Sequence, residues 1–123
     1  MNIEIKFRAK TLSTNDWVFG DLHLLTKFPH IHDREVSKSL IHTETIGQFT
    51  GLHDKNGKEI YEGDILIHIY MGSIFKVEYS ERNAAFMLIY PTNEGYNMGV
   101  YDIENCFRVI GNIYDNPELF KEE

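Results

Sequence analysis

Apolar and polar residues alternate along most of this chain with the period of two that marks half-buried strands, not helices. Ile3, Ile5 and Phe7 alternate with Glu4, Lys6 and Arg8, which predicts a first strand. Thr11 to Asp16 (TLSTND) is a polar turn. A second strand is predicted over Trp17 to Leu25, with Trp17 and Phe19 on one face and a break near Gly20. Lys27 to Glu35 (KFPHIHDRE) is the most loop-like segment. Val36 to Ile46 reads as a strand on the strength of Ile41, Thr43, Thr45 and Ile46.

The stretch Gly47 to Ile67 (GQFTGLHDKNGKEIYEGDILI) reads as a structural joint, a tight hairpin feeding a small barrel. Its turn is Asp54-Lys55-Asn56-Gly57, and Asn-Gly is a strong hairpin signal because both residues tolerate positive φ. Gly63 stands where a backbone reversal at positive φ would suit it. Beyond it, Ile65, Ile67, Ile69 and Met71 are predicted on one face of a long strand, with Leu66, His68 and Tyr70 on the other. Gly72-Ser73 is a second turn, followed by a strand through Phe75, Val77 and Tyr79. Ala85 to Tyr90 is nearly all apolar, as for a strand covered on both faces. Pro91 to Gly95 is a loop, Met98 to Ile103 a fourth strand and Phe107 to Ile113 a fifth. Asn116-Pro117-Glu118-Leu119-Phe120 has an N-cap, a proline at the first helical position and an early acid, the marks of a short helix. Such a helix is too short to hold alone and must dock Leu119 and Phe120 on the barrel or on another subunit.

The fold expected is therefore mainly β, α+β at most. It has a small five-stranded SH3-like barrel in the C-terminal half, an N-terminal β extension and a short C-terminal helix. An OB-type barrel has the same strand count and stays open as an alternative. Residues 1–46 would form the extension, a candidate oligomerisation segment, and 47–123 the joint and barrel, unless 1–123 is one compact unit.

Composition narrows the class. With 123 residues, 42% of them apolar, the chain can bury a core of ordinary size for one domain. No window approaches the ~18 to 20 consecutive apolar residues that a spanning helix needs. MNIEIKFRAK lacks the apolar core of a signal peptide. The lone Cys106 excludes an intramolecular disulfide and a cysteine-based zinc site. The net charge of −7 is uneven: residues 1–62 carry eight Lys/Arg against nine Asp/Glu, and residues 63–123 four against ten. A −6 half repels the phosphate backbone that supplies most non-specific nucleic-acid affinity.

The joint, the opening KFRAK with Trp17 and Gly20 after it, and the closing VIGNIYDNPELF together resemble the YopX family. The resemblance spans effectively the whole chain; Lys27 to Ser39 and Met87 to Met98 are its less typical stretches. It implies a protein encoded by a phage or prophage, acting in the cytoplasm of the bacterial host, mainly β with a small barrel, and often oligomeric. It brings no enzymatic activity, cofactor or catalytic residue.

The residues that invite chemistry have plainer readings. His30, His32 and Asp33, with His23 and His42 on neighbouring strands, offer metal ligands, but the segment reads as a solvated polar loop. His53 and Asp54 beside Glu59, Glu62 and Asp64 resemble an acid–base cluster. In a turn, Asp54 favours bonding its own backbone two residues on, and Asp64 suits loop N–H groups. Tyr70, Tyr79, Tyr90, Tyr96, Tyr101 and Tyr114 all follow the joint. They suit strand packing and subunit contacts, with base stacking or Pro-rich peptide binding as the sharper readings. Lys6, Arg8 and Lys10 form a compact basic group on the polar face of the first strand, expected to pair with acidic surface before phosphate. Cys106 reads as a small buried hydrophobe entering a strand. No catalytic, cofactor-binding or metal residue is assigned, and no cofactor is expected.

The function expected is a non-enzymatic accessory protein working through protein–protein contacts as a homo-oligomer, with an unidentified phage or host protein as partner. The alternatives are a nucleic-acid-associated protein, an acidic inhibitor of a host DNA-binding protein, and a metal-dependent hydrolase on His30, His32 and Asp33. Any functional surface is expected on Lys27 to Ser39, on Pro91 to Gly95 or at an oligomer interface.

Overall fold

The structure, a computed structural model, describes residues 4–33 and 38–121. The chain divides into two units, Met1–Phe49 and Thr50–Glu123; the turn pattern alone places that boundary after Ile46. The mainly β expectation holds, with two antiparallel sheets and one short α-helix.

In the first unit four strands close on themselves. They are β1 (Phe7–Thr11), β2 (Trp17–His23), β3 (His30–His32) and β4 (Lys38–His53). Each pairs with the next, and β1 also pairs with β4, so the ring leaves no open edge among them. Its core is small: Ala9, Ile31 and Ile41 are buried, with Phe7, Val18, Leu22 and Ile46 packed around them.

Three sequence expectations change here. The first strand begins at Phe7, and Ile5 is exposed; Ile3 lies outside the described residues. The segment taken as loop contains β3, because Gly20 opposes it with φ at +155° and no side chain. A Cβ on Gly20 would collide with the His32 carbonyl, so only glycine lets the two backbones approach. The strand expected over Val36 to Ile46 runs on through Gly47 to His53 as a single sixteen-residue element; Val36 is outside the described residues.

The β1–β4 register shifts between Arg8 and Lys10, and a side chain repairs the gap. The buried Thr45 hydroxyl accepts from the Lys10 N–H at 2.9 Å and donates to the His42 carbonyl at 2.7 Å. Thr45→Val should cost about 1 to 3 kcal/mol by stranding both groups, whereas Thr45→Ser keeps them paired. Urea denaturation of the two variants checks this, and equal losses would refute it.

The second unit starts with a hairpin, the last residues of β4 turning back as β5 (Glu59–Tyr61). A five-stranded sheet follows from β6 (Asp64–His68), β7 (Ile74–Ser80), β8 (Ala85–Ile89), β9 (Gly95–Asn97) and β10 (Phe107–Asn112). Its order is β10-β6-β7-β8-β9, a four-strand meander whose first strand takes the last strand on its open side. Ile60, Leu66, Phe75, Val77, Leu88, Met98, Ile103 and Phe107 fill its core.

The Asn-Gly turn differs in type from the expectation. Gly57 has φ +82°, but Asn56 is not among the residues at positive φ. Gly57 N–H donates to the Asp54 carbonyl and Asp54 N–H to the Lys58 carbonyl, a type I turn closed by a glycine bulge. Gly63 has the positive φ expected, 94°.

Asp54, 4% exposed, organises this region. One carboxylate oxygen accepts from Asn56 and Lys58 N–H at 2.9 Å, and the other reaches 55 residues along the chain to Val109 N–H at 2.9 Å. That last bond falls where the β10–β6 register shifts. Asp54→Ala strands three backbone donors and should cost about 3 kcal/mol or more, given ~1 to 3 for each buried group left unpaired. A melting temperature within a degree or two of wild type would show that water replaces the carboxylate.

Late in the chain several predicted elements are replaced. β6 ends at His68, and Tyr70 and Met71 stand exposed in the turn beyond it. β8 buries only Leu88 fully, and its other four residues are half-buried. The fourth strand of the sheet is Gly95–Asn97, whereas Met98–Val100 is a 3₁₀ turn and Ile103–Cys106 the one α-helical turn, α1. Met98 and Ile103 are buried as core plugs, which mimics a strand in the hydropathy pattern. Cys106 ends α1, half-buried against the core. The C-terminal helix is a 3₁₀ turn, Pro117–Leu119, and Asn116 does not cap it with its side chain. The Asn116 amide oxygen instead turns back to accept from Asn112 N–H at 3.3 Å, packed where Gly111 has no side chain. Leu119 and Phe120 are half-buried, with Lys76 Nζ 5.2 Å from the centre of the Phe120 ring.

A candidate interaction surface of tyrosines

The loop between β8 and β9 is built by its own turn residues. Pro91 follows Tyr90, Asn93 N–H donates to the Tyr90 carbonyl at 2.8 Å, and Asn93 takes φ +75°, a conformation asparagine tolerates. Tyr90 N–H then donates to the Glu94 carbonyl at 2.8 Å and returns the chain as β9. After β9, the Asn97 side chain accepts from Gly99 N–H at 2.8 Å and Met98 plugs the core, so the chain bends sharply. Tyr101 N–H donates to the Met98 carbonyl at the end of that bend.

These constraints collect three phenols. Tyr90 and Tyr96 lie 5.7 Å apart at 87°, and Tyr96 and Tyr101 6.4 Å apart at 89°. Buried Phe75 underlies them, 4.3 Å from Tyr90 and 6.1 Å from Tyr101. Tyr96 is 41% exposed, and its hydroxyl donates to Glu94 Oε2 at 3.4 Å. The Glu94 carboxylate, then burial and the neighbouring phenol of Tyr90, raise the Tyr96 hydroxyl above its ordinary pKa. Burial first, then Tyr90 and Tyr96, raise that of Tyr101. The patch is aromatic, with one carboxylate, Glu94, at its rim.

The other residues singled out in the sequence have separate surroundings. His23, His30 and His32 do come together: His23 stacks on His30 at 4.8 Å, and His32 lies edge-on to both. His30 is buried with Nδ1 2.9 Å from the Phe28 carbonyl. Among the described residues, no group of three or more His, Cys, Asp or Glu is arranged to hold a metal. His42 lies beside Glu44, 3.4 Å away, apart from that trio's contacts. Asp54 and Asp64 are buried on backbone N–H groups, Asp64 accepting from Tyr61 at 2.8 Å, and Glu59 accepts from the Tyr61 hydroxyl.

The basic group on β1 is not a polar face. Arg8 is 6% exposed with its guanidinium 4.5 Å from the Trp17 ring centre, and Lys10 Nζ lies 5.5 Å from the same ring. Lys6 sits over Phe49 and beside Glu4. Trp17 opposite Lys10 and Phe19 opposite Arg8 in the β1–β2 ladder is the signal that escaped the one-strand reading. A second missed feature is the β2–β3 connection, where Leu24, Leu25 and Phe28 are exposed together, Leu25 at 103%. Among the described residues no helix is long and apolar enough to cross a membrane.

Comparison with known proteins agrees with this architecture. The family model described as YopX protein matches residues 6–121. A crystal structure of protein EF1440 from Enterococcus faecalis resembles the chain in fold, with a TM-score of 0.61 at 24% identity over 98% of this chain and 100% of that one. No curated protein matches.

Replacing Glu94 by glutamine removes the largest influence on Tyr96. Spectrophotometric titration of the wild type should show a phenol ionising above an ordinary tyrosine, and E94Q should bring its midpoint down. A midpoint that stays in place would detach Glu94 from the ring.

Proposed function

As the chain belongs to the YopX family, we propose that it is a non-enzymatic accessory protein of phage or prophage origin. It works in the host cytoplasm through protein–protein contacts and as a homo-oligomer. The observation that carries this reading is the β2–β3 tip, where Leu24, Leu25 and Phe28 spend large apolar area on solvent in a unit with few buried side chains. Exposed apolar clusters of this kind mark contact sites. Residues 1–49 carry six Lys/Arg and six Asp/Glu, so two copies meeting there face no net repulsion.

The second unit is read as SH3-like in preference to OB-type. The support is the β6–β9 meander, the 3₁₀ turn after it and the return of β10 to β6. Its charge, six Lys/Arg against thirteen Asp/Glu over residues 50–123, disfavours nucleic acid as partner. That same charge supports a second reading, an acidic inhibitor that covers the basic surface of a host DNA-binding protein.

Light scattering on the eluting protein tests the oligomer. The wild type should elute above its 14.4 kDa monomer mass, and the double substitution L25S/F28S should shift it toward monomer with little change in melting temperature. A wild type that stays monomeric at high concentration would sink the homo-oligomer.

A further inference from the structure

We propose that Tyr90, Tyr96 and Tyr101, with Glu94 at their rim, seat a lysine or arginine side chain carried by an extended basic segment of a partner protein. The inference rests on the protein-contact reading above and adds the chemistry of the partner.

Tyr96 stands edge-to-face with both Tyr90 and Tyr101, which gathers three rings in one small region, and the ring face is where an aromatic quadrupole attracts a cation. Phe75 closes the underside, so a ligand can approach only from the solvent side on which Tyr96 is exposed. The Glu94 carboxylate, held by the Tyr96 hydroxyl, supplies a full negative charge beside the rings. The raised pKa of Tyr96, whose largest cause is the Glu94 carboxylate, reports the same field, since a negative potential keeps a phenol protonated.

The chain already uses this contact within itself, with Lys55 over Tyr70, Lys76 over Phe120 and Arg8 over Trp17. Among the described residues, none of its own cations occupies Tyr90, Tyr96 or Tyr101. The net charge of −7 over residues 50–123 favours a basic visitor.

The backbone suggests how the visitor lies. β9 ends the sheet order and its three residues are all exposed. An extended segment running beside an edge strand projects alternate side chains onto one face. With Tyr96 at the centre of β9, one such side chain falls on the rings. Bases could also stack on tyrosine, but that mode works beside a cationic groove, and this unit is acidic.

The test uses the full chain and three probes: a twelve-residue flexible peptide of alternating Lys/Arg and Gly/Ser, its Lys/Arg→Glu counterpart, and a single-stranded oligonucleotide. Isothermal titration at low and moderate salt should detect the basic peptide and neither of the others. Y96A should weaken that binding at least tenfold and E94Q severalfold, while Y96F, which keeps the ring, stays within about threefold. Y79A removes a different exposed tyrosine and should change nothing. Ring-proton shifts of Tyr96 on adding tetramethylammonium would show that the cation alone suffices.

Failure of the basic peptide to bind, unchanged binding by folded Y96A, or preferential binding of the oligonucleotide would each overturn the proposal. Light scattering on the same samples keeps the two readings apart. A monomer that binds the peptide removes only the oligomer, and an oligomer that ignores the peptide removes only the cation seat.

Discussion

A buried carboxylate with three backbone donors governs the second unit. Asp54 is almost wholly buried, and the Asn56, Lys58 and Val109 N–H groups that converge on its carboxylate replace the water it has lost. Two of those donors belong to the turn that launches the unit, and the third belongs to the strand that finishes it. The turn adds a backbone tie of its own, Lys55 N–H to the Phe107 carbonyl at 2.9 Å. Hairpin and last strand are thereby held in register, and β10 can lie beside β6 with its irregularity satisfied.

How much of this was legible depended on whether the signal was local. The Asp54–Gly57 turn, Gly63 and the strands around Phe75 and Phe107 rest on neighbouring residues, and the pattern found them. The bond of Asp54 to the backbone two residues on was legible too, but its reach to Val109 and that of Thr45 to Lys10 depend on distant partners. Met98 and Ile103 misled because two buried apolar residues at the right spacing imitate a strand, although a 3₁₀ turn and a helical turn carry them. β3 was hidden for the opposite reason. A three-residue strand beside a proline shows no periodicity, and it exists because Gly20 leaves room for it.

The candidate surface divides in the same way. The late concentration of tyrosines and the importance of the Pro91 to Gly95 loop were both visible in the sequence. The selection of Tyr90, Tyr96 and Tyr101 from six was not, because it depends on β9 being only three residues long and on the bend after it. Arg8 shows the converse. Alternation alone put it on a polar face, and the Trp17 ring across the ladder buries it.

β4 carries one further consequence. It is sixteen residues long, and within the closed ring it pairs with both β1 and β3. Along a strand, adding or deleting one residue exchanges inward and outward positions for everything downstream. A single-codon insertion between Ile41 and Ile46 would therefore keep every residue of the ring and yet turn Ile46 to the wrong side of the small core it packs on. Length variation in descendants of this chain should accumulate in connections such as Leu24 to Pro29, and β4 should change by substitution alone.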